Sequence, residues 1–220
     1  RQHLEALPKK RQSSAEEDRA RVRAALEAGA DAVNRLADHD SSLLREYFED
    51  ELLPAWAEAH LVGQPDAQLH RERARLIGDA LLRTTGDAMP RDAARALAEP
   101  PATATSQDPL RSQAVGYQQL REARRVQDLR EPSCEPYRGA LRDLNAGGSA
   151  YAWWTGMEVV SACLLESSRY EGALAHLEQL LKLAEPSAYI QLLGHVRWLQ
   201  GVIRARRGDL TESLELYRAA

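Results

Sequence analysis

The stretch Tyr137-Arg-Gly-Ala-Leu-Arg-Asp-Leu144 decides how this chain is read, because it returns as Tyr170-Glu-Gly-Ala-Leu-Ala-His-Leu177 and, more loosely, as Leu210-Thr-Glu-Ser-Leu-Glu-Leu-Tyr217. The copies begin 33 and then 40 residues apart, at 137, 170 and 210. A recurrence at that interval marks stacked helix-turn-helix units, each of which needs a neighbour to cover its apolar face. Within the copies, Ala140, Ala173 and Ser213 hold one small position, and Leu144, Leu177 and Tyr217 hold a large one four residues later. Small residues suit the point where two helix backbones approach, and large ones fill the gap beside it.

Working outward, Ser161 and Gly201 lie one 40-residue step apart and supply the small position of the preceding helix. The turns before the copies read Ser168-Arg-Tyr170 and Arg207-Gly-Asp-Leu210. This set resembles tetratricopeptide (TPR) repeats. The resemblance implies an all-α right-handed solenoid of about two and a half units over 110–220.

Composition agrees. Of the 220 residues, 28% are charged and 5% aromatic, and Ala, Leu, Glu and Arg dominate over β-branched runs, which favours helix throughout. The net charge of −4 and pI near 5.9 leave no basic footprint for nucleic acid or a membrane surface, so proteins or peptides are the expected partners. No apolar run is long enough to span a bilayer and no leader-like start is visible, so a cytoplasmic location is expected. Cys134 and Cys163 fall in different units and form neither CxxC nor a disulfide framework, which points to a reducing compartment. The chain starts at Arg1 and stops inside a repeating pattern. A fragment of a longer protein is expected, its last unit exposing a Leu214/Leu216/Tyr217 edge prone to self-association.

The remainder divides into an N-terminal helical region at 1–98, a proline-rich connector at 99–109 and the repeats at 110–220. A helix start is expected at Ser13-Ser14-Ala15-Glu16-Glu17, with a periodic helix to Leu36 interrupted at Gly29. Asp38 to Ser42 opens a second helix that Pro54 should kink or restart. Gly63-Gln-Pro-Asp66 breaks the chain before a third helix, which carries Leu69, Arg73, Leu76, Ile77, Ala80 and Leu81 on one side. Glu99-Pro-Pro-Ala-Thr-Ala-Thr-Ser-Gln-Asp-Pro109 lacks apolar periodicity and should be extended or mobile. A helix at 110–129 and a turn at Glu131–Pro136 then lead into the first copy.

Glu51-Leu-Leu-Pro-Ala-Trp-Ala-Glu-Ala-His60, Ala74-Arg-Leu-Ile-Gly-Asp-Ala-Leu-Leu-Arg-Thr-Thr-Gly-Asp87, and Tyr189-Ile-Gln-Leu-Leu-Gly-His-Val-Arg-Trp198 running into Gly201 resemble the segment upstream of the last repeats in large bacterial CHAT-domain proteins. Those proteins join a TPR-bearing helical region to a caspase-like cysteine protease domain. The resemblance spans 43–220. It implies a non-catalytic regulatory region, with the protease outside this chain.

Chemical signals are sparse. Cys163 and His195 could form a thiolate–imidazole dyad, but Cys163 sits among Val159, Val160, Ala162, Leu164 and Leu165, where a small buried residue is the simpler reading. His3, His39, His60, His70 and His176 lack metal-ligand spacing, and GxGxxG, GxxxxGK[ST] and GxSxG are missing. No catalytic residue, cofactor or metal is expected. The arginine sets 71/73/75, 121/124/125 and 204/206/207 alternate with acids, as solvated helix faces do; alternatively they grip a carboxylate-bearing peptide. The repeat register sets Thr155, Glu158 and Ala162 on the concave face of one unit and His195, Trp198 and Val202 on the next, with Trp198 the best exposed anchor. The function expected is a protein-interaction scaffold that binds a peptide or its own downstream domain. The alternative is a ligand- or peptide-sensing region of a bacterial transcription regulator or signalling ATPase.

Overall fold

The computed structural model describes the backbone of residues 2–127 and 134–220, and the side chains of 15–126 and 134–220. Among the described residues every element is helical. Helix α1 (Gln2–Ala28) ends at Gly29, whose φ of 93° turns the chain straight into α2 (Ala30–His39); a residue with a Cβ adopts that conformation only at a cost. The start expected at Ser13 is corrected. The helix already runs from Gln2, since strong helix formers fill this segment too, and the side chains of His3, Ser13 and Ser14 lie outside the described residues.

Helix α3 (Ser41–Tyr47) begins where the sequence places turn chemistry, with Asp40 Oδ1 accepting the Leu43 N–H at 3.0 Å. A π-helical turn, Phe48–Leu52, leads into α4 (Leu53–Leu61). Pro54 stands in the first turn of α4 and has no N–H to give, and the wider turn lies at the point where that bond is missing. Helix α5 (Asp66–Thr85) closes on Gly86 at φ 74°. It buries Ala67, Ala74, Ile77, Ala80 and Leu81, whereas Leu69, expected on that face, is exposed. Asp87 Oδ1 accepts the Met89 N–H at 3.2 Å at the start of α6 (Met89–Ala96).

The proline-rich segment is held in place. The Thr105 and Ser106 N–H groups both donate to Ala146 O at 3.0 Å, and Asp108 Oδ1 accepts the Arg111 N–H at 3.0 Å in the first turn of α7 (Pro109–Gln127). The buried Gln113 amide donates to Ala96 O at 3.1 Å and to Gly147 O at 2.9 Å, tying the end of α6 to the loop beyond the first copy. Prolines removed the apolar periodicity that sequence reading relies on, yet the backbone groups found partners elsewhere.

Each copy of the repeated motif falls in the second helix of a hairpin. Helix α8 (Glu135–Ala146) carries the first and follows α7; residues 128–133, with most of the turn expected before Pro136, lie outside the described residues. Helix α9 (Tyr151–Val159) continues through a π-helical turn, Val160–Leu165, and is followed by α10 (Tyr170–Ala184). Helix α11 (Ile190–Arg206) is followed by α12 (Leu210–Ala219). From α7 onward each helix packs on the next. Ala140, Ala173 and Ser213 are buried, and so are Leu144 and Leu177; on α12, Leu210, Leu214 and Tyr217 are exposed and Leu216 is half-buried.

Glycines show how tightly the paired helices meet. A Cβ on Gly116 of α7 would stand 2.6 Å from Leu144 Cγ and 2.8 Å from the Leu144 backbone N, and one on Gly201 of α11 would stand 2.6 Å from the Tyr217 ring. Thus the large residue of the motif seats against a glycine in the first and third hairpins. Gly116→Ala should cost about 1–3 kcal/mol in urea unfolding, because backbone cannot yield. Gly201→Ala should cost less than half as much, because the partly exposed Tyr217 ring can swing aside; equal losses would contradict this packing.

The expectation that the cysteines stay unpaired is corrected. Cys134, just before α8, is disulfide-bonded to Cys163 in the π-helical turn, 29 residues on. Spacing could not reveal this, because it is the stacking of α8 beside α9 that brings the two together. The premise for a reducing compartment falls with it. The core is continuous from Val22 to Ile203, and the packing crosses the connector: Trp56 of α4 meets Tyr117 of α7 edge-on at 6.1 Å, and Tyr117 meets Tyr151 of α9 at 6.2 Å.

Candidate interaction site

The six residues expected on a concave face separate into two groups. Thr155 is fully buried, its hydroxyl donating to Tyr151 O at 2.9 Å, and Ala162 is buried as well, so neither can touch a partner at the surface. Glu158 is mostly covered and paired with Arg124 at 2.9 Å. His195 and Trp198 lie together in a groove, and Val202 is half-buried further along α11. The physical reason lies in α9. Tyr-Ala-Trp-Trp-Thr-Gly-Met-Glu-Val with Val-Ser-Ala-Cys-Leu-Leu has no continuous polar stripe, and a helix that is apolar all round is buried all round. Its composition was the available signal; the 40-residue register hid it.

The groove holding His195 and Trp198, about 760 Å³, lies between α11, the start of α3 and the turn at Gly86. Trp198 is 50% exposed and Ile190, two turns back toward the start of α11, 52%. Ser41, Arg45 and Glu46 of α3 form the facing wall. His195 Nδ1 lies 3.0 Å from Gln191 O; a carbonyl can only accept, so Nδ1 carries a proton and donates it there. The imidazole stands edge-on to Trp154 at 5.0 Å. Cys163, the other half of the dyad considered above, has no thiolate because it is bonded to Cys134. The groove therefore sets an apolar anchor beside a polar and charged rim, the composition of a contact surface.

Beside α9 runs a largely covered ionic cluster, with Asp50 at its exposed edge, that periodicity could not foresee. Arg124 of α7 donates from Nε to Glu158 Oε1 at 2.9 Å, and its two Nη atoms lie 3.3 Å from Asp50 Oδ1 and 3.9 Å from Glu49 Oε2. Tyr151 donates its hydroxyl to Glu49 Oε1 at 2.9 Å. Burial raises Glu49 and Glu158 above the usual carboxylate range, with Arg124 partly offsetting it in both. Burial alone would lower Arg124, but Glu158 and Glu49 more than reverse that and raise it. Arg45, on the same N-terminal segment, donates to the buried Asp87 at 2.7 Å. Within the three arginine sets, Arg75, Arg125, Arg204 and Arg207 form the surface pairs the alternating charges suggest, such as Arg125 with Glu122 at 2.7 Å and Arg204 with Glu212 at 3.3 Å. Arg124 is the least exposed of those that form ion pairs, answered by Glu49, Asp50 and Glu158 at once.

A larger groove, about 950 Å³, opens between α5, the end of α6, the connector and the start of α9. It shares no lining residue with the first. No family model, curated protein or solved structure matches this chain. None of the described helices is long and apolar enough to cross a membrane.

Proposed function

We propose that this chain is a non-catalytic, TPR-like interaction module that holds a segment of a partner protein in the groove formed by α11 and α3. The observation that carries this reading is Trp198. A half-exposed indole projecting from a helix, with exposed Ile190 two turns away on the same helix and polar groups around it, is the kind of anchor that dominates protein contacts. The repeated hairpins support the solenoid reading, since stacked pairs of this kind leave the face of their first helices for binding. The segments that resemble CHAT-domain proteins support placing the module beside a caspase-like protease domain, whose activity it would regulate. The apolar edge of α12 supports contact with a further helix or a second copy. Cellular location follows the state of the cysteines: the Cys134–Cys163 bond persists in an oxidising compartment, and a cytoplasmic location implies its reduction there.

Panning a random peptide library on the purified chain tests the proposal. Enriched peptides should bind with an affinity that falls tenfold or more in Trp198→Ala, with the thermal midpoint unchanged because the side chain is half in solvent. Peptides whose binding ignores both Trp198→Ala and His195→Ala, or a hydrolytic activity that purifies with the chain, would overturn it.

A further inference from the structure

We propose that the 950 Å³ groove between α5, the connector and the start of α9 is a second binding site, one that takes a carboxylate carried on an apolar or aromatic body. Gln68, Arg71 and Arg75 recur at three- and four-residue steps, so one face of α5 forms one wall, and Arg95 at the end of α6 extends it. Arg71 is half-buried and has no carboxylate partner. Its Nη2 donates to the neutral Gln68 amide oxygen, and its Nε is buried without an acceptor. Arg95 forms no ion pair with any described residue.

The acids along the groove do not answer these two guanidinium groups. Asp92 is already committed, with Oδ1 accepting from Arg91 at 3.0 Å and Oδ2 from the Tyr189 hydroxyl at 3.2 Å. Glu72 accepts from Gln68 at 3.0 Å and Glu99 stands exposed at the rim. Both are open to solvent, where their attraction is screened. A buried guanidinium donor left without a partner costs free energy that an arriving carboxylate removes, and the planar fork fits a carboxylate in two parallel bonds.

The opposite wall selects the rest of the ligand. Trp153 packs against Tyr189 with ring centroids 5.1 Å apart, and Leu183 beside them is largely exposed. Apolar surface facing a pair of guanidinium groups suits a molecule with a greasy body and an acidic end, and the volume is that of a small-ligand pocket. The carboxylate can belong to a free small acid or to the end of a peptide chain.

Titration of the ¹⁵N-labelled chain, followed by NMR, separates these sources. The probes are 3-phenylpropionate, its amide, and N-acetyl-Leu-Phe with a free carboxyl end. The Trp153 Nε1–H and Arg71 Nε–H signals are expected to move with at least one carboxylate probe, and the amide should bind at least tenfold more weakly. Preference for the phenylpropionate points to a free acid, and preference for the peptide to a chain end. Arg71→Gln and Arg95→Gln should each weaken binding several-fold with the spectrum otherwise unchanged, while Trp198→Ala should leave it intact, so failure here is distinct from failure of the peptide groove. No movement with any probe at millimolar concentration, equal affinity for acid and amide, or loss of binding on Trp198→Ala would overturn the proposal.

Discussion

Arg124→Ala should lower the unfolding free energy by about 2–4 kcal/mol at pH 7.5, somewhat less than removing one partner from a fully buried ion pair because these side chains keep some contact with solvent. Arg124 faces Glu158 and Glu49 at once, and Tyr151 already holds the other Glu49 oxygen. Without the guanidinium, two covered carboxylates would keep the desolvation that now raises them and lose the charge that offsets it. The sign with pH follows. Both groups titrate higher in the folded chain than in the unfolded one, so folding takes up protons and stability falls as pH rises through the window above the usual carboxylate range. Removing Arg124 extends that window upward, so the penalty should be smaller at pH 5 than at pH 7.5. Arg125→Ala is the control, since its partner Glu122 is exposed, and it should stay within about 1 kcal/mol of the parent. Urea melts of both variants at the two pH values give the answer; a loss below about 1 kcal/mol for Arg124→Ala at pH 7.5, or a larger loss at pH 5 than at pH 7.5, would contradict the cluster's role.

Reducing the Cys134–Cys163 bond should cost about 3–4 kcal/mol, the loop-closure entropy returned to the unfolded chain by a cross-link between residues 29 apart. The bond fastens the start of α8 to the π-helical turn after α9, so it joins the first hairpin to the second. Equilibrium melts with and without a phosphine reductant should differ by that amount. The melt of Cys134→Ala should match the reduced chain and ignore the reductant. Free thiols in the denatured, unreduced chain, or melts of the parent chain that coincide, would show that the bond is not part of the native molecule.

Local structure was legible where the chain declares its own punctuation. Gly29, Asp40, Gly63, Gly86 and Gly148 end or start helices where backbone freedom or a capping oxygen requires it, and the three copies of the motif each fall within a helix of the same place in its hairpin. What periodicity cannot carry is which face of a helix meets a segment far away in sequence. Thr155 and Ala162 are buried because α9 is packed on several sides, by α8, by α10 and by the segment of Phe48 and Glu49. The cysteine pair and the Arg124 cluster join residues through the same long-range packing. Leu69 lies about 200° round α5 from the buried Ala67, so it falls opposite the stripe of Ala67, Ala74, Ile77 and Leu81 that the core covers. On α11, which packs on both α10 and α12, His195 and Trp198 line a groove whose other wall is α3, a segment the repeat register does not include.

The large residue of the first and third motif copies seats against the glycine of its hairpin partner, which can be read from one ¹³C-edited NOESY spectrum of the labelled chain. Cross-peaks are expected between the Gly116 α-protons and the Leu144 methyl groups, and between the Gly201 α-protons and the Tyr217 ring. A spectrum in which both sets are missing while the chain is folded would mean that the hairpins do not pair in this register, and the solenoid reading would fail with them.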